Sequence, residues 1–179
     1  MEYFLLIFIF FALIFDRLHI FFYLIISSLL HEAGHIIACR FMGSIPKVKF
    51  SVFGIKLSQY PTEKIKKMLV IICGPMVNLI LAAVLGVLLK DGFSLNMYIF
   101  MCVNIFLFVF NMLPVSFMDG GQLLQIFVTD SKILCITEIL AVSAVFVVTV
   151  LITENNLYTV AAFVMFAAYC VINKKHLYY

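Results

Sequence analysis

Long apolar stretches separated by short polar breaks dominate this sequence, and they leave few folds open to it. About six can be drawn, where a membrane-spanning helix needs ~20 residues: Tyr3 to Phe15, Ile20 to Met42, Met68 to Leu89, Leu95 to Met112, Ile133 to Thr153 and Leu157 to Ile172. The first is short and is expected to thin the bilayer locally or to continue toward Leu18. Of the 179 residues, 65% are hydrophobic and 12% charged, against roughly 45–50% apolar and 25% charged in soluble domains. So few charges cannot clothe a water-facing surface, and the expected solvent is lipid. The expected fold class is an all-α polytopic membrane protein of about six transmembrane helices, forming a single domain over 1–179. Glu2 stands where a signal peptide would carry basic residues, so the first stretch is read as a retained helix.

Charge sets the expected orientation. Arg40, Lys47, Lys49, Lys56, Lys64, Lys66, Lys67, Lys132, Lys174 and Lys175 fall on one side of the layout, and only Arg17 and Lys90 on the other. The positive-inside rule then puts both termini in the cytoplasm, and the compact, module-free layout points to a bacterial cell membrane. A net charge of +3 offers no basic patch for nucleic acid. Cys39, Cys73, Cys102, Cys135 and Cys170 are scattered singly through apolar stretches, which argues against a disulfide framework.

Residues 43–67 break the helical pattern. Val48-Lys49-Phe50-Ser51-Val52-Phe53 alternates apolar and polar, Gly54 interrupts, and Ile55-Lys56-Leu57-Ser58 resumes. Period two predicts a small membrane-associated β-hairpin between the second and third helices. Besides linking helices, its edge could accept an extended peptide as an added strand.

Chemistry concentrates in the second stretch, in Leu29-Leu30-His31-Glu32-Ala33-Gly34-His35. On a helix, i and i+4 share a face, so both imidazoles can reach one metal ion with Glu32 beside them to handle a proton. An ionisable side chain at mid-bilayer costs ~2.5–3.5 kcal/mol, which packing alone does not offset. A third ligand is expected from Asn111-Met112-Leu113-Pro114-Val115-Ser116-Phe117-Met118-Asp119-Gly120-Gly121. Pro114 should end the fourth helix, and the glycines should let the chain turn sharply after Asp119, on a loop spanning 113–131. Gly74-Pro75-Met76-Val77-Asn78 in the third stretch reads as close helix packing with an interhelical hydrogen bond.

His-Glu-x-x-His, Gly-Pro-x-x-Asn and Asn-x-x-Pro-x-x-x-x-Asp-Gly, in this order and in successive stretches, resemble the site-2 protease family of intramembrane zinc metalloproteases. The six-stretch layout is similar to the sporulation-type bacterial branch of that family. The resemblance runs from the first stretch to Asp119; the fifth and sixth match only in number. It implies one Zn2+ per chain on His31, His35 and Asp119, Glu32 as catalytic base, and Asn111 near the substrate backbone. It also implies that residues 47–58 hold an unwound transmembrane substrate. Many relatives carry a PDZ or CBS domain; the stretch beyond Ile172 is too short for either, so regulation through them is not expected.

The expected activity is hydrolysis of a peptide bond in or near a transmembrane segment of a membrane-protein substrate, with the site toward the cytoplasmic side. Its expected partners are that substrate, the lipid bilayer and any regulatory membrane subunits, with no nucleic acid. Two rival classes are a catalytically idle relative that binds membrane proteins and a metal transporter; neither requires Glu32 between two ligands. Cys39 comes one further turn after His35, but each turn climbs about 5.4 Å, so it is not expected to share the ion. Asn104 is expected to bond a neighbouring helix, Glu138 to reach the interface, and His19 and His176 to be solvated.

Overall fold

A computed structural model describes residues 19–44, 48–51, 54–57 and 61–152. They form five helices and two short strands: α1 (Ile20–Phe41), β1 (Val48–Ser51), β2 (Gly54–Leu57), α2 (Lys64–Leu88), α3 (Leu95–Asn111), α4 (Asp119–Phe127) and α5 (Ser131–Ile152). The expected first and sixth stretches lie outside the described residues. The expectation of about six spans is therefore not supported beyond the described residues. Among the described residues two helices, α1 and α2, are long and apolar enough to cross a membrane, and α3 is a shorter apolar helix of 17 residues.

Local chemistry explains the ends. α1 stops at Gly43, whose φ of 75° suits a residue without Cβ. There the Ser44 N–H donates to the Cys39 carbonyl (3.1 Å) and the Gly43 N–H to the Arg40 carbonyl (3.0 Å), the paired closure that satisfies a helix's last carbonyls. Pro114 ends α3 as expected, and the Met118 N–H donates to the Val115 carbonyl (2.8 Å) in a tight turn. α5 begins on Asp130, whose Oδ1 accepts the Lys132 N–H at 2.8 Å and so caps an otherwise orphaned donor. β1 and β2 pair antiparallel, with Val48 opposite Leu57 and Ser51 opposite Gly54; residues 52–53 between them lie outside the described residues.

α1, α2 and α3 pack on one another, and α4 packs on α2. The α1–α2 seam is built from two rows at four-residue spacing. Ser27, His31, His35 and Cys39 are all buried on α1; Val70, Gly74, Asn78 and Ala82 are all buried on α2. Rows at i±4 are the ridges by which helices interdigitate, and here they run antiparallel: His35 meets Val70, while His31 meets Asn78. α3 runs parallel to α1, its Phe100 ring stacked on Tyr23 at 4.9 Å. The outward faces are apolar, with Leu29, Ile37, Phe41, Ile65, Ile80 and Val87 exposed.

The second correction concerns the stretch after α3. Instead of a loop through residue 131, the chain re-enters helix at Asp119. Gly120 and Gly121 do not serve a left-handed turn, since Gly43 alone among the described glycines has positive φ. A Cβ on Gly120 would meet the Met112 carbonyl, and one on Gly121 the Val115 carbonyl. The glycines let α4 fold back against the end of α3. A carboxylate in the first turn suits the positive end of the helix dipole. Asn104 and Glu138 also depart from expectation. Asn104 donates to the Phe100 carbonyl of its own helix (2.9 Å), and Glu138 is buried, not interfacial.

The tightness of the seam is testable at Gly34, where a Cβ would stand 2.8 Å from Val77 Cγ2 and 2.9 Å from the Cys73 carbonyl oxygen. Backbone cannot yield as a side-chain tip can. Gly34→Ala is therefore expected to cost about 1–3 kcal/mol, seen as a lower unfolding midpoint in detergent. Gly86→Ala, whose Cβ would meet only Met101 Sδ at 3.5 Å, is expected to be neutral or to gain up to about 1 kcal/mol of helix propensity. Equal midpoints for the two variants would disprove the close approach.

Candidate metal centre

His31 and His35 project from one face of α1 into the α1–α2 seam, and Asp119 reaches them from the first turn of α4. His31 Nε2 lies 3.0 Å from Asp119 Oδ2, and His35 Nε2 lies 3.2 Å from the same oxygen. The two Nε2 atoms are themselves 3.2 Å apart. All three side chains are buried. Asp119 Oδ2 is fully enclosed, and although two imidazole nitrogens are close, neither ring N–H is aligned on it. Burial pushes the Asp119 carboxyl up, but the two imidazoles beside it outweigh this and hold it below the usual carboxylate range. Two imidazole Nε2 atoms and one carboxylate oxygen thus converge on one point.

That donor set fits a divalent metal ion. Two imidazoles and one carboxylate are a three-ligand set of the kind that leaves a fourth position free on zinc. The other ring nitrogens are held as well, as metal-ligating histidines require. His35 Nδ1 donates to the Val70 carbonyl oxygen at 2.9 Å, which fixes the tautomer with its Nε2 lone pair facing the cluster. His31 Nδ1 lies 3.2 Å from Asn78 Nδ2.

The Gly-Pro-x-x-Asn stretch serves these rings directly. A Cβ on Gly74 would fall inside the His35 imidazole, so glycine there is the space the ring occupies. Pro75 lacks the N–H that would bond back one turn within α2. The sequence pattern of this stretch reads as packing plus an interhelical bond, and the partner of that bond is a candidate ligand. The turn that carries Asp119 has its own brace, which the sequence did not reveal. Ser116 donates to Glu138 Oε1 through its hydroxyl (3.0 Å) and its backbone N–H (3.4 Å). Val115 and Met118 are buried against Phe110, Leu113, Phe117 and Val142. The turn is thereby fastened to α5.

Three of the five expected site residues are brought together. Glu32 is half-buried on α1 beside His31. Asn111 is half-buried at the end of α3, where its amide donates to the Leu107 carbonyl (2.9 Å). Cys39 packs with Ala38 and Val70, outside the converging group.

Metal content is the direct test of this geometry. Protein purified in detergent and dialysed against trace zinc is expected to retain about one equivalent, and His35→Ala or Asp119→Ala to retain little. Gly74→Ala is expected to lose most of it too, because the methyl group displaces the His35 ring. Elemental analysis reads all four proteins. Full retention by Gly74→Ala would mean that the ring is not held where it stands.

Residues 86–153 match the sequence model of Peptidase family M50. That segment holds Asp119, Asn111 and Glu138, but not the histidines. No curated protein matches the chain. Among solved structures, the Site-2 Protease from Methanocaldococcus jannaschii is similar, with 24% sequence identity and a TM-score of 0.57, over 90% of this chain and 83% of that one. The chain shares the fold of that site-2 protease, and over residues 86–153 it matches the M50 peptidase model.

Proposed function

We propose that this chain is an intramembrane zinc metalloprotease. The observation that carries the reading is the convergence of His31, His35 and Asp119 from two separate elements at 3.0–3.2 Å, with Glu32 next to the first ligand. The M50 match and the site-2 protease fold support it in kind. The apolar outward faces of α1 and α2 suit lipid as the surrounding medium.

His31, His35 and Asp119 would hold one zinc ion per chain. Zinc there would supply Lewis acidity, lowering the pKa of water to about 7 and polarising a scissile carbonyl. Glu32 takes the proton from the attacking water and later delivers it to the leaving amine. Its place on α1 beside His31 keeps the carboxylate near the reacting atoms without spending it as a ligand. The buried seam limits water around the reacting groups, which strengthens every charge interaction among them.

The substrate in this reading is a transmembrane segment of a membrane protein. A peptide bond inside a helix is shielded and its carbonyl already bonded, so the segment must unwind before cleavage. The paired strands β1 and β2 offer an edge to which an unwound segment could add. Asn111 would meet the substrate backbone with its amide. We place the site toward the cytoplasmic side with both termini in the cytoplasm, on the strength of the basic residues that flank α1 and α2, and read the compact layout as bacterial and akin to the sporulation-type branch.

The test uses the full chain reconstituted in vesicles with a panel of single-span membrane proteins, and mass spectrometry of the fragments. Wild type is expected to cut at least one within its apolar segment, and a chelator to stop it. Glu32→Gln is expected to keep its zinc and lose ~10²–10⁴-fold in rate. Zinc-loaded wild type that cuts none of them, but accumulates zinc inside the vesicles, would replace the protease reading with transport. Equal cutting by Glu32→Gln would remove Glu32 as the base.

A further inference from the structure

The hydrogen bonds of the two imidazoles form one directed chain. His35 gives its Nδ1 proton to the Val70 carbonyl, so its Nε2 is an acceptor. That nitrogen lies 3.2 Å from His31 Nε2, which must then carry the proton of the His31 ring. His31 Nδ1 is left as an acceptor, and Asn78 Nδ2 donates to it at 3.2 Å. The order is Asn78 to His31 to His35 to Val70, each step a donor facing a lone pair.

A metal ion between the rings demands a different order at one ring only. His35 already presents its Nε2 lone pair. His31 must move its proton from Nε2 to Nδ1 to do the same, because a neutral imidazole has one donor and one acceptor nitrogen. The proton on Nδ1 then faces Asn78 Nδ2, donor against donor, unless the amide turns. A half-turn about the Asn78 side-chain amide exchanges its nitrogen for Oδ1. That oxygen is buried and makes no hydrogen bond among the described residues, and Asn78 as a whole is 0% exposed. A buried carbonyl oxygen with no partner is costly, and the turn that pairs it is the one His31 needs.

We propose that Asn78 is a positioning residue for His31: its amide oxygen accepts the Nδ1 proton that His31 carries when Nε2 holds a metal ion. This rests on His31, His35 and Asp119 being a metal centre. Asn78 does not touch the metal or a substrate. It sets which nitrogen of His31 is free to bind, as the Val70 carbonyl does for His35, and an amide can do so in either tautomer because it offers a donor and an acceptor on one pivot.

The experiment measures zinc affinity by chelator competition, and the visible spectrum of the cobalt-substituted protein, on the full chain in detergent. The proteins are wild type, Asn78→Asp, Asn78→Leu and Asn78→Ala, with thermal unfolding of each. Asp keeps an acceptor facing Nδ1; Leu keeps the volume and removes it. The proposal expects Asn78→Leu and Asn78→Ala to bind zinc ~10–100-fold more weakly with an altered cobalt spectrum, and Asn78→Asp to restore both. A purely packing role predicts the reverse order, since a carboxylate in an apolar seam is the more disruptive change and leucine the milder one. Wild-type affinity in Asn78→Leu, or equal weakening in Asn78→Asp and Asn78→Leu, would overturn the proposal. Should Asn78→Leu not fold, Asn78→Ala, which only removes atoms, carries the same comparison. Absence of zinc binding by wild type itself would overturn the metal-centre reading and this proposal together, whereas wild-type binding that is indifferent to residue 78 overturns the proposal alone.

Discussion

The close antiparallel contact between α1 and α2 is the constraint on which the rest of the molecule depends. It is close because glycines stand where side chains would separate the helices. Gly34 admits the α2 backbone toward α1, and Gly74 leaves room for the His35 ring. Four-residue spacing then places histidine against carbonyl and histidine against amide along one seam. A slip of one turn would shift the rows by about 5.4 Å and leave two imidazoles, an amide and a carbonyl without these partners. In an apolar interior such orphaned groups are costly. The polar residues that look misplaced in an apolar helix are thus what fixes its register.

The converging side chains come from two bodies built differently. The histidines are held by two long helices whose contact is continuous. Asp119 sits on a short helix that returns from the end of α3, held by the absence of side chains at Gly120 and Gly121 and by the Glu138–Ser116 bonds to α5. The carboxylate meets both imidazoles through a single oxygen. Small displacements of α4 would therefore change its distance to both rings at once.

Much of the site was legible in the order of residues, for a physical reason. His31 and His35 share a helix, so the spacing alone puts them on one face, and an apolar helix makes the pair hard to explain otherwise. Asp119 was legible because Pro114 and the glycine pair announce an interruption. The structure changes the reason: the glycines serve close packing of a new helix, and a Gly-Gly pair reads alike in a tight turn and a tight contact. The bonds of Val70 and Glu138 were not legible, and of Asn78 only that it would bond across helices, not to which group. Val70 acts through its backbone, which carries no sequence signal. Asn78 and Glu138 depend on how two helices register, and a single sequence does not state that. The row Val70, Gly74, Asn78, at the same spacing as the histidines, was the available clue.

The split between the two bodies also has a temporal side. The ribosome delivers α1 and α2 first, and with them both imidazoles and the Val70 and Asn78 groups that hold their outer nitrogens. Asp119 emerges only after all of α3, which at roughly 5–20 residues per second is a delay of seconds. The helical hairpin that comes first already holds both imidazoles by their outer nitrogens, so it can settle before its carboxylate exists. The centre is completed last, by a segment whose own anchor on Glu138 is made later still.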